Sequence, residues 1–86
     1  MHTGSSESEA GAGRRLERAI VLQLLRDDRE PRWSREELRA EIGAEALALE
    51  EAIGRLRAEG ILGVEEARVW ASRAARRLDE LGLIGV

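Results

Sequence analysis

The stretch SREELRAEIGAEALALEEAIGRLRAEGIL, Ser34 to Leu62, decides the fold. It divides into a short helix, a break at Gly43, a longer helix and a second break at Gly60. Ser34 followed by Glu37 spells a capping box, in which the hydroxyl accepts an orphan backbone N–H and the carboxylate reaches back to the cap. Leu38 and Ile42 then share one face at i, i+4. Gly43 suits the position after a helix end, because it reaches positive φ without a Cβ clash. The longer helix, Glu45 to Glu59, sets Leu49, Ile53 and Leu56 on one stripe. A short helix, a tight Gly turn and a second helix make a helix-turn-helix outline.

Working toward the amino terminus, Arg32-Trp33-Ser34 reads as a short extended piece, preceded by a charged loop from Asp27 to the only proline, Pro31. Trp33 covers the edge of the core or offers a stacking surface, although one indole is a poor nucleic-acid platform. From Arg14 to Asp28 the run RRLERAIVLQLLRDD is a helix. Leu16, Ile20 and Leu24 form its stripe, with Val21 and Leu25 beside it. That arc is wider than a surface helix needs. Either the domain touches this helix on two sides, or a spare face meets a partner chain. Residues 1–13 show no apolar period and are expected to be a disordered tail that also holds the lone histidine, His2.

Past Gly60 the period changes from helical to alternating. Leu62 and Val64, then Val69 and Ala71, read as a two-stranded hairpin turning near Glu65-Glu66-Ala67. The turn lacks the favoured Asn-Gly pair, so spacing does not fix its register. Ser72 caps a last helix, SRAARRLDELG, expected to face Ala74, Leu78 and Leu81 inward and Arg73, Arg76 and Arg77 outward. Leu83-Ile84-Gly85-Val86 is too apolar to hang in water and should pack on the first helix or across a dimer interface.

The order is helix, short strand, helix, turn, helix, two-stranded hairpin, helix: mainly α with a small β-hairpin. Over residues 14–82 the chain resembles the winged helix-turn-helix family. The resemblance rests on WSREELRAEIG, on AIGRLRAEGIL and on the hairpin running into SRAARRLDEL. In particular, LRAEGIL is similar to the end of a recognition helix passing into the first wing strand. The resemblance implies one winged-helix domain over 14–86 and DNA binding in transcriptional regulation. The alternative is a winged helix that serves protein interaction or self-association and does not bind DNA.

Composition sets the limits on these readings. The formal net charge is −3, and all 14 Lys-plus-Arg positions are arginine. Arginine alongside abundant Ala, Glu and Gly fits genome composition bias first and guanidinium chemistry second. A mildly acidic chain would need a local basic face to hold nucleic acid. The chain has no cysteine, so it offers no disulfide, thiolate metal site or thiol nucleophile. The start, MHTGSSESEAGAG, has neither the basic nor the apolar segment of a signal peptide. No apolar run approaches the roughly 20 residues that span a bilayer. The expectation is a cytoplasmic protein with no membrane association. Without Cys, Tyr, a structured His or a GxxxxGK loop, catalysis, metal binding and a cofactor are not expected.

In DNA readers of this family the second motif helix presents its outward face to base edges. With Leu49, Ile53 and Leu56 inward, that face here carries Leu47, Glu51, Gly54 and Ala58, with Glu50 alongside. None is a good base reader, and Glu45, Glu50 and Glu51 repel phosphate unless one accepts from a cytosine amino group. If duplex is bound, Arg35, Arg39, Arg55 and Arg68 are the candidate phosphate contacts, with Glu50 and Glu51 facing the bases. If the face instead meets protein, Leu47, Gly54 and Ala58 admit a close approach and Glu51 pairs with an arginine. Leu83 and Ile84 complete the candidate protein interface, with a homodimer or other protein partner expected. A bland option places Leu47 in the turn, plugging the core.

Overall fold

The computed structural model describes residues 4–26 and 32–84, with side chains from residue 11 onward. Four helices and a small antiparallel sheet follow one another as α1 (Gly4–Arg26), β1 (Trp33–Ser34), α2 (Arg35–Ile42), α3 (Ala46–Ala58), β2 (Leu62–Glu65), β3 (Arg68–Ala71) and α4 (Arg73–Glu80). These elements come in the order expected from the sequence. The anticipated loop 27–31 lies outside the described residues, as do His2 and the final two positions.

The capping box forms as spelled. Glu37 N donates to Ser34 Oγ at 3.0 Å and Ser34 N donates to Glu37 Oε1 at 2.9 Å. Gly43 ends α2 at φ 75° and donates its N–H to Arg39 O. At the start of α3, Glu45 spends its carboxylate as a cap, accepting from Leu47 N at 2.9 Å. Leu49, Ala52, Ile53 and Leu56 are buried on the inner side of that helix. They meet Ile20, Val21 and Leu24 of α1, Leu38 of α2, and Trp33, Leu62, Val69 and Ala71 of the sheet in a single core. Trp33 is therefore part of the core, and α1 is a central helix packed on α3, α2 and β3.

Three expectations are corrected. First, helix begins at Gly4 instead of Arg14, inside the segment expected to be a disordered tail. The apolar period starts only at Leu16, and residues 4–13, with three Gly and three Ser, are weak helix formers that extend the helix only as a continuation of its anchored part. Second, the sheet has three strands in the order β1-β3-β2, because the extended piece before α2 pairs with β3, Trp33 opposite Val69. The hairpin pairs Leu62 with Ala71 and Val64 with Val69, closing on a two-residue turn. Glu66 takes φ 54° in that turn, and Arg35 braces it from outside, with Nη1 donating to Glu66 O at 2.6 Å.

Third, α4 is turned from its expected phase. Ala75 is the residue it buries, while Ala74 is exposed and Leu78 and Leu81 are 43% and 54% exposed. Ser72 caps this helix as anticipated, accepting from Ala75 N, and donates its own N–H to Ile61 O. That bond continues the β2–β3 pairing and fixes where α4 begins. The apolar stripe is left beside the core, where it borders an open trough.

Candidate nucleic-acid and partner interface

The outer side of α3 is the first candidate surface. Leu47, Glu50, Glu51, Gly54 and Ala58 are all exposed along it. Leu47 is 64% exposed, so it does not plug the core. Gly54 has open space around the position of a Cβ. The helix with its two caps carries four glutamates (45, 50, 51, 59) against two arginines (55, 57). The surface is thus apolar and small in the middle, with net negative charge. A base edge or a phosphate meets few donors there.

The arginines expected at phosphates are placed mostly against partners within the chain. Arg35 lies 3.2 Å from Glu50 Oε1 through Nε, in addition to its bond to the wing turn. Arg55 leans across to α1, where Nε donates to Glu17 Oε2 and Nη2 comes close to Gly13. Arg68 donates from Nη1 to Arg32 O at 2.8 Å and sits 3.7 Å from Glu37. Of the four, Arg39 is exposed and forms no ion pair among the described residues. Ion pairs as exposed as these contribute little to stability, on the order of 0–1 kcal/mol. Their consequence is local: a phosphate reaching Arg35 or Arg55 would also meet Glu50 or Glu17.

The residues expected to form one protein interface divide between two places. Leu47, Gly54 and Ala58 share the outer side of α3. Leu83 and Ile84 border a trough of about 630 Å³ between α1, the end of α3 and α4. Ile84 packs on the core from there, whereas Leu83 is 64% exposed. None of the outer α3 residues lines this trough.

One further cluster was not foreseen. On the outer face of the hairpin the Trp70 ring lies across Gly63, and a Cβ at Gly63 would fall within the indole. Arg32 stacks its guanidinium 3.9 Å from the Trp70 ring centre, closing a three-layer stack. The hint in the sequence was Gly63 placed opposite an aromatic in the hairpin, legible only once the register is known. Among the described residues no group of three His, Cys, Asp or Glu could hold a metal ion, and no helix is long and apolar enough to cross a membrane. No protein-family model, curated protein or solved structure matches the chain.

Proposed function

We propose that this chain is a non-catalytic winged helix-turn-helix module that uses the outer side of α3 for protein contact. The helix pair 35–58 supplies the motif, and the 62–71 hairpin supplies the wing. One observation carries the choice of partner class: the outer side of α3 exposes Leu47, Glu50, Glu51, Gly54 and Ala58, with Arg55 and Arg57 exposed at its two flanks. Gly54 and Ala58, one turn apart, allow a partner backbone to come close, and Leu47 supplies apolar area. Glu51 offers a carboxylate to a cation across the contact. The test compares the immobilised wild-type chain with a Gly54→Arg/Ala58→Arg variant of unchanged fold, both exposed to lysate of the source cells. Proteins held by the wild type and lost by the variant support the reading. Retention by both, or by neither, counts against it.

DNA binding in transcriptional regulation is the second reading, favoured by Arg39 and Arg57. Both are exposed on the two motif helices, with no ion pair among the described residues. In that case binding is chiefly to the backbone, with weak sequence preference. Substituting both with Ala would then reduce duplex affinity about equally for all sequences.

A further inference from the structure

We propose that the partner met by the outer side of α3 is a second copy of this chain, whose own α3 docks antiparallel across a two-fold axis. The inference rests on the reading of that side as a protein contact, and names its occupant.

Spacing and size fit the copy to itself. Leu47, Glu51, Gly54 and Ala58, all exposed, follow one another in steps of four, three and four, the seam of a helix that packs along another helix. Glu50 and Arg57, one heptad apart, flank that seam on one side, and Arg55 flanks it on the other. A two-fold axis between antiparallel helices lays one end of the seam on the other and sets like flank against like flank. Leu47 then lies over the second copy's Ala58. Glu51 passes over the second copy's Gly54, where the space is open. Each larger seam residue meets a small one. Parallel helices would instead stack Leu47 on Leu47 and Glu51 on Glu51.

Charge selects the same arrangement. Glu50 and Glu51 precede Arg55 and Arg57 along the helix, so reversing one copy brings acids to bases. Glu50 meets the second copy's Arg57, and Glu51 meets its Arg55. Within the chain Glu50 pairs with Arg35 and Arg55 with Glu17, whereas Glu51 and Arg57 form no ion pair among the described residues. Docking thus adds each unpaired charge to a pair already in place. The other two acids stand off the seam, Glu45 as the cap of α3 and Glu59 on the rim of the trough. Exposed charges of this kind fix register and orientation more than they add affinity. So short a seam makes a reversible dimer, dissociated at the low concentrations of an optical melt.

Sedimentation velocity of the full chain over a concentration series tests this, with a reversible dimer expected. Glu51→Arg and Arg57→Glu remove no ion pair among the described residues, and the two-fold makes each act twice. Each should raise the dissociation constant about tenfold or more with far-UV circular dichroism unchanged. Mixing Glu51→Arg chains with Arg55→Glu chains should restore the dimer that each lacks alone. Because the chain has no cysteine, register has its own readout. Leu47→Cys and Ala58→Cys chains, mixed under mild oxidant, should form the mixed disulfide in preference to either symmetric one. A charge order that serves only the helix dipole predicts a monomer, and a wild-type chain monomeric throughout the series overturns the proposal. The lysate comparison with Gly54→Arg/Ala58→Arg then decides separately whether the face holds another protein. A dimer indifferent to Glu51→Arg and Arg57→Glu, or symmetric disulfides in excess of the mixed one, also overturns it.

Discussion

Gly54 sits in the middle of α3, between the caps Glu45 and Glu59, and a Cβ added there meets nothing within 4 Å. Its φ is ordinary helix, since the positive-φ glycines are Gly43, Gly60 and Gly82. Gly54→Ala therefore gains helix propensity and lowers the entropy of the unfolded chain without creating a clash. The gain for an exposed mid-helix site is about 0.5–1 kcal/mol. For a domain of this size, 1 kcal/mol moves the melting temperature by roughly 4–8 °C. Urea titration and thermal melts followed at 222 nm would read the change directly. A rise of this size is expected, with the m-value unchanged. A destabilised Gly54→Ala would mean that the outer side of α3 is covered, and the account of that face would fail with it. If the variant is more stable but loses a partner, the glycine is there for the contact and not for the fold.

Other substitutions bear on particular joints of the structure. Gly63→Ala forces Trp70 off the hairpin and breaks the Arg32 stack, an overpacking cost of about 1–3 kcal/mol, read in a denaturant melt and in altered Trp fluorescence. Ser34→Ala removes one arm of the capping box and should cost about 1 kcal/mol; an unchanged midpoint would mean the box contributes nothing. Glu66→Gly relieves a positive φ of 54° and should raise stability by about 0.5–1 kcal/mol, visible as a later urea midpoint. Leu38→Ala empties a fully buried site and should cost about 2–5 kcal/mol.

What could be read from the sequence was what is local. Ser34 with Glu37, Gly43, Gly60 and the spacing of Leu49, Ile53 and Leu56 each act within a turn or two of chain. A single sequence contains all the information they need. The rotation of α4 was not legible, because Ala74, Leu78 and Leu81 do form the apolar stripe, yet the helix buries Ala75, a choice set by how it packs on the rest of the chain. The third strand is set by pairing Trp33 with Val69, a contact that no local pattern encodes. The same holds for Arg55, whose partner Glu17 is 38 positions away. That distant pairing bears directly on the candidate site, because it sets a carboxylate beside a candidate phosphate contact. The helical start at Gly4 was missed for a different reason: an apolar period marks only the part of a helix that touches the core.

On the proposed function, the exposed side of α3, with few donors and crossed by glutamates, does not read duplex. The most direct measurement is a fluorescence-anisotropy titration of the full chain with a mixed-sequence duplex at about 50 mM and 200 mM salt. Each phosphate neutralised by the protein adds about −0.9 to the slope of log K against log salt. No saturable binding is expected at either salt. Tight binding with a slope of about −3 or steeper, weakened by Arg39→Ala or Arg55→Ala, would contradict it and restore duplex recognition as the function.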